Sequence, residues 1–221
     1  MILLVGGEKG GTGKSCLAQQ LAVYYAMQPG RNVILVDCEP QRCSSDWVQL
    51  RHLQPSIPWI NCVQMYGNIR YELKSLQLHY DDVIVDCGGH DMVALRSAMA
   101  VANQALFPLQ PRARDVASLP LITQLIQASQ PLNPQLTTAC ILNQCPTADD
   151  ERVQQARMTL KATQLTVLQS VIRQHEIFDS SASKGLSVLD IDPAGVAAGE
   201  IVAIAQELKQ LSILSSLSEA N

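Results

Sequence analysis

Residues Glu8 to Ser15 read Glu-Lys-Gly-Gly-Thr-Gly-Lys-Ser and follow directly on the apolar run Ile2 to Val5. A glycine-rich turn between a buried strand and a helix leaves backbone N–H groups pointing inward at the positive end of the helix, where they cradle the phosphate of a nucleotide. In that arrangement Gly10, Gly11, Thr12, Gly13 and Cys16 surround the phosphates, Lys14 reaches the β and γ phosphates, and the Ser15 hydroxyl holds Mg²⁺. The strict spacing G-x-x-x-x-G-K-[ST] is not met, because Glu8 stands where the first glycine belongs and a second lysine, Lys9, precedes Gly10. An ordinary flexible turn has a similar composition. The strand before the motif and the segment 14–27 after it, with Leu17, Leu21 and Tyr24 or Tyr25 spaced for one buried face, favour the nucleotide loop.

A chain of 221 residues suits one large α/β domain over residues 1–221. Its seven cysteines are scattered among apolar segments without paired C-x-x-C spacing or a leading signal peptide, which predicts reduced thiols and a cytoplasmic protein. Cys38 and Cys43 lie close in sequence, but His52 is badly placed to join them, so core or loop cysteines are favoured over metal ligands. No run approaches the roughly 18–20 apolar residues needed to cross a bilayer, so a soluble chain is expected. A net charge of −4 excludes a surface that is basic all round and restricts any nucleic-acid contact to a local patch.

Short β-rich apolar runs alternate with longer amphipathic ones, the pattern of a doubly wound, mostly parallel sheet flanked by helices. The runs predict strands at Ile2–Val5, Val33–Asp37, Ile60–Val63, Val83–Asp86, Gln104–Pro108, Thr138–Leu142 and Thr166–Val171. Helices are expected near 14–27, 43–53, 67–78, 91–102, 114–128, 149–164 and 195–211, with Pro-bounded loops at 54–58 and 130–134 and a fraying tail after Leu211. Ligands of such sheets collect at the carboxyl ends of the strands, which here carry Asp37, Asp86, Pro108 and Asn143.

Asp37 and Glu39 stand two apart where a strand ends, a spacing that puts both carboxylates on one side of an extended segment. Solvated loop acids are the alternative. Asp86 closes the run Asp82-Val-Ile-Val-Asp86, the Walker B pattern in which the acid reaches Mg²⁺ through water; an Asp that merely caps a strand before a turn has the same local sequence. The Asn143 carboxamide matches the geometry that pairs with adenine N6 and N7, and equally suits a turn before Pro146. Arg152, Arg157 and Lys161 are read as sharing one side of a helix, with Arg173 and Lys184 nearby, as a weak salt-sensitive DNA patch or as separate solvated charges. Lys209 alone among basic residues follows Lys184, and Glu219 lies at the end, so a cationic amphipathic membrane tail is not expected.

The loop carrying Lys9 resembles the deviant P-loop of the ParA/MinD family of ATPases. Further segments are similar to the small ParA-type plasmid partition proteins without an N-terminal DNA-reading domain: Asp37-Cys-Glu-Pro-Gln41 with Trp47, Asp82–Asp86, Pro108–Pro111 with Asp115, Gly185–Val188 and Gly199–Ile201. The resemblance runs nearly end to end and implies a P-loop ATPase fold with ATP and Mg²⁺ as cofactors. It also implies a homodimer in which Lys9 crosses to the partner's nucleotide and joins Lys14, Asp37 and Glu39 in catalysis. Asp37 would then support the Mg²⁺ region with Ser15 and Asp86, and Glu39 would take the position of the carboxylate that orients attacking water. Gly88 and Gly89 fall in the γ-phosphate-sensing segment. The adenine contact falls near Asn143, and Ile172–Glu176, including Arg173, closes over the base.

Two residues depart from the family. Glu39 replaces the usual Asp and extends the carboxylate by about 1 Å, enough to alter water positioning; Cys16 replaces a second Thr. The implied function is partition of DNA cargo. The ATP dimer would bind nonspecific DNA over the nucleoid, and a centromere-binding or cargo adaptor protein would stimulate hydrolysis. Two other readings stand beside it: a nucleotide-switched adaptor for conjugation, division or a surface machine, and a P-loop metabolic ligase. The ligase would need a second catalytic cluster that the sequence does not display. An iron–sulfur reductase of this fold would need cysteines paired across a dimer axis, which Cys87 and Cys140 match poorly.

Overall fold

The computed structural model describes residues 1–147, 150–163 and 165–218. β1 (Ile2–Gly6), β2 (Val33–Asp37) and β4 (Asp82–Cys87) are buried at every position, as continuous apolar runs must be when helices cover both sheet faces. Successive side chains of a strand point to opposite faces. Ile2 and Leu4 accordingly enter one core with α3 (Arg70–Leu76), α4 (Met92–Met99), α6 (Leu119–Ser129) and α7 (Glu151–Lys161). Leu3 and Val5 enter the other, with α1 (Lys14–Ala26), α2 (Cys43–Arg51) and α10 (Val196–Ser218). Each fully buried Leu or Ile contributes about 1.5–3 kcal/mol.

With β3 (Asn61–Gln64), β5 (Gln104–Leu109), β6 (Thr137–Cys145) and β7 (Val167–Arg173), the seven strands run in the order β3-β2-β4-β1-β5-β6-β7. Every pairing is parallel. The register sets Val5 beside Asp86 and Asp86 beside Asp37, so the turn leaving β1 opens directly over the two acids. Both P-loop and acids therefore sit at the carboxyl edge, where the strand order reverses.

The strand expectations hold, with ends shifted: β6 runs on to Cys145 through register irregularities, and β7 reaches Arg173. The expected helix over 114–128 is two, α5 (Ala113–Val116) and α6, because Pro120 sits in the first turn of α6; proline has no N–H to continue a preceding helix. Two short helices, α8 (Glu176–Ala182) and α9 (Val188–Ile191), had no periodic signal long enough to read. α9 is fixed instead by a capping box between Ser187 and Asp190. The segments 54–58 and 130–134 are turns, and α10 continues past Leu211 to Ser218, where a frayed tail was expected. Both ends of the expected helix 149–164 lie outside the described residues, as does Glu219.

A buried ion pair ties α2 to α9. Arg51, 1% exposed, donates to Asp190 Oδ2 at 2.7 Å and Oδ1 at 3.2 Å, and also to the carbonyls of Gly185 and Pro58. Gly185 has φ 69°, and a Cβ there would lie 2.2 Å from the Arg51 nitrogen, so the chain passes α2 only as glycine. Removing one partner leaves an uncompensated buried charge. Asp190→Ala is expected to lower unfolding stability by about 3–5 kcal/mol, measured by urea denaturation; a loss below about 1 kcal/mol, the range of an exposed pair, would contradict the buried role.

Candidate nucleotide site

The carbonyls of the loop from Gly7 to Gly13 are held by side chains. Lys14 Nζ donates to the Lys9 carbonyl at 2.7 Å, Gln110 Nε2 to the Gly11 carbonyl at 2.7 Å, and Asn143 Nδ2 to the Thr12 carbonyl at 2.7 Å. In a planar trans peptide the C=O and the following N–H point in opposite directions, so carbonyls drawn out toward Gln110 and Asn143 turn the Thr12 and Gly13 amides the other way. Gly13 has φ 84°, and a Cβ there would lie 2.3 Å from Asn143 Nδ2. Only glycine allows that close approach in that conformation. The loop lines a cavity of about 230 Å³ with Lys14, Ser15, Glu39, Gln41, Cys43, Gly89 and His90.

The acids beneath the loop have distinct environments. Asp37 is fully buried; its Oδ1 accepts from the Glu39 N–H at 3.0 Å, and its Oδ2 from the Ser45 N–H at 2.7 Å and Ser45 Oγ at 2.8 Å. The expectation that Asp37 helps hold Mg²⁺ thus meets a carboxylate already committed to the start of α2. Asp86 is also fully buried, with Oδ2 bonded by Ser44 Oγ at 2.7 Å and Oδ1 without a partner. Burial pushes the Asp86 carboxyl up to about 7; the Ser44 hydrogen bond and the nearby Ser15 hydroxyl oppose the rise, and the neighbouring Asp37 and Glu39 charges add to it. Lys14 is 7% exposed, and burial lowers its pKa against the opposing attraction of Glu39 and Asp86. Glu39, also 7% exposed, bonds His90 Nδ1 through Oε2 at 2.9 Å and leaves Oε1 unpartnered.

Sequence reasoning missed Ser44, Ser45, Gln110 and His90. Paired serines just after Asp37-Cys-Glu-Pro-Gln41 are a helix-start signal that was legible; a glutamine after β5 and a histidine after two glycines carry no such signal.

A second cavity, of about 190 Å³, adjoins the loop and is lined by Gly13, Cys16, Gln20, Asn143, Arg173 and Phe178 among others. Asn143 lies here as expected, within a strand and not in a turn. It belongs to β6, its Nδ2 donates to the Thr12 carbonyl and anchors the P-loop, and its Oδ1 accepts from the neighbouring Gln144 N–H at 2.9 Å. Arg173 is drawn aside by Glu200, which bonds both its Nε and its backbone N–H and also contacts His175. The Cys16 thiol is pushed up to about 12, chiefly by burial, and stays protonated.

The expected basic stripe on α7 does not form. Arg152 and Lys161 are nine residues apart, about half a turn out of phase at 3.6 residues per turn. Arg152 is paired with Asp150, and Arg157 donates to the β7 carbonyls of Leu168 and Gln169. Lys184 is exposed beyond α8, where its carbonyl accepts from Gln54. Exposed cations do gather near Lys9, whose ammonium pairs with Asp115 of α5. Burial lowers the Lys9 pKa, and Arg114 and Arg112 lower it further.

A glycine loop between a buried strand and a helix, a lysine beside it, and a buried carboxylate with one open oxygen on the neighbouring strand define a P-loop nucleotide-binding protein. The sequence pattern of the CobQ/CobB/MinD/ParA nucleotide binding domain matches residues 3–188, and the chain belongs to that family. The fold is shared with apo McdA from Cyanothece, at 15% identity and TM-score 0.76 over 94% of this chain and 99% of that one. A putative plasmid partition protein from Borrelia burgdorferi B31, solved with AMPPNP, is 18% identical with TM-score 0.74 over 95% and 98%. The cell division ATPase MinD from Pyrococcus furiosus is 18% identical with TM-score 0.73 over the same shares. No curated protein sequence matches the chain.

Because the buried Asp86 titrates near 7 and an unfolded Asp near 3.9, the metal-free native state holds a proton that the unfolded chain releases, so native stability falls as pH rises between those values. Asp86→Asn abolishes that loss. With chelator present, its stability gain over wild type is expected to grow from pH 4 to pH 7 and level off above, followed by thermal denaturation; a gain independent of pH would refute the burial argument.

Proposed function

We propose that the chain is an ATPase that works as a nucleotide-switched dimer to partition or position cargo. In this reading the ATP dimer binds nonspecific DNA, and a centromere-binding or cargo adaptor protein resets it by stimulating hydrolysis. The observation that carries the reading is Lys9, whose backbone carbonyl holds Lys14 while its ammonium reaches out of the loop to Asp115. A lysine so placed can exchange an intramolecular carboxylate for the phosphates of a nucleotide on a second copy. Contacts made to a γ-phosphate and not to ADP would shift the monomer–dimer equilibrium.

The residues present fit Mg²⁺, since a buried Asp86 Oδ1 without a partner beside the Ser15 hydroxyl is a donor set for a hard cation that keeps water and phosphate ligands. Bound there, the ion would neutralise phosphate charge. The chain's own residues do the rest. The loop amides and Lys14 bind the phosphates, and Asp37 holds the 39–45 turn in place. Glu39, which lines the same cavity, orients the attacking water. Asn143 and Arg173 keep their partners and shape the neighbouring cavity. For DNA, the exposed Arg112 and Arg152 line one surface cleft, with Arg114 close to Lys9; dimerisation would double that patch. A nucleotide-switched adaptor acting on a protein surface is the second reading, favoured by the absence of an aligned basic stripe on α7.

Lys14→Ala is expected to abolish nucleotide binding, whereas Lys9→Ala keeps affinity within about threefold, under 1 kcal/mol, yet forms no ATP-dependent dimer in sedimentation. Normal dimers in Lys9→Ala would refute the cross-interface role. Binding of wild-type protein to random duplex DNA, measured with ATP·Mg²⁺ and with ADP·Mg²⁺, is expected only with ATP and to weaken steeply with added salt. Intact ATP dimers that leave DNA unbound would decide for the adaptor.

A further inference from the structure

His90 follows the glycine pair Gly88-Gly89 at the end of β4, on a turn at the rim of the phosphate cavity. Its Nδ1 stands 2.9 Å from Glu39 Oε2. An ionised carboxylate only accepts hydrogen bonds, so Nδ1 carries the hydrogen. The other carboxylate oxygen is buried without a partner. On its far side the carboxylate lies over Gly88, where a Cβ would fall 1.7 Å from Oε1 and 2.7 Å from the carboxyl carbon. Glu39 is thus confined between a position that admits no side chain and an imidazole that holds one oxygen, while the second oxygen packs over Gly88 without a partner.

Glutamate reaches this place because of its additional methylene. A longer side chain has one more torsion to fix, and orientation of the nucleophilic water depends on that torsion. We propose that His90 is the positioning residue that fixes it: by holding Oε2, the imidazole locks the Glu39 side chain over Gly88 and so sets where its carboxylate meets the water that attacks the γ-phosphate. Glu39, Gly88 and His90 then form one unit, in which Gly88 leaves the space, Glu39 fills it and His90 sets its rotation. The role rests on the ATPase reading above, with Glu39 as the carboxylate that orients water. His90 itself does not touch the reacting atoms, and its side chain is 60% exposed, so its replacement leaves the cores intact.

The test is steady-state ATP hydrolysis by the full chain with Mg²⁺. His90→Ala is expected to lower kcat about tenfold, one lost hydrogen bond's worth of orientation, with KM for ATP within about twofold. His90→Asn, whose amide can donate from nearly the same place, should recover most of the rate. In a Glu39→Asp background the shorter carboxylate no longer reaches the imidazole, so adding His90→Ala should change nothing further. Unchanged kcat in His90→Ala, or an equal loss in both backgrounds, would overturn the proposal.

A second measurement separates failure of this unit from failure of the ATPase reading. In protein labelled with ¹⁵N at the imidazoles, His90, assigned by its loss in His90→Asn, should show a protonated Nδ1 that Glu39→Ala abolishes. An Nδ1 signal indifferent to Glu39→Ala would refute the pair even in a protein that hydrolyses nothing. Its loss in such a protein would uphold the pair and reject the ATPase reading alone.

Discussion

Two carboxylates, Asp37 and Asp86, sit side by side on adjacent strands with no access to water. Burying like charges at such a separation is costly unless each is hydrogen-bonded or one is neutral, and the surrounding structure is arranged around that requirement. Asp37 takes three hydrogen bonds from the turn and helix that follow it, which fixes where α2 begins. Ser44, one residue away on the same helix, turns to Asp86. The start of α2 therefore satisfies both acids at once. The one oxygen left over points to where a cation would belong.

The P-loop depends on the same principle from the other side. A loop that offers its N–H groups to an anion must find partners for its carbonyls. Gln110 after β5 and Asn143 in β6 supply them across the sheet. Residues about 100 and 130 positions downstream thus hold the loop's shape before any nucleotide arrives. Such preorganisation lowers the ordering cost of binding.

Much of the site was legible because its local chemistry is written in contiguous residues. Gly10 to Ser15 between an apolar strand and a helix, Asp86 closing another apolar run, and the Asp37-x-Glu39 pair each announce themselves within a few positions. Side chains that join from a distance were not legible. His90, Gln110 and the Arg51–Asp190 pair couple residues 51, 99 and 139 positions from their partners, and no periodicity connects them. The α7 charges failed for a simpler reason: their spacing is out of phase with a helical turn, and Arg157 is drawn to the carbonyls of β7.

The sequence by itself determined the doubly wound class, the position of the phosphate loop and the identity of the acids near it, because strand burial, helix period and glycine-rich turns are local properties. Only the tertiary structure decided which oxygen of which acid remains open, which amides hold the loop, and that Glu39 is clasped by His90 above Gly88. Those depend on strand order and register, which set non-neighbouring residues within hydrogen-bond reach, and on how each buried polar group finds its partner.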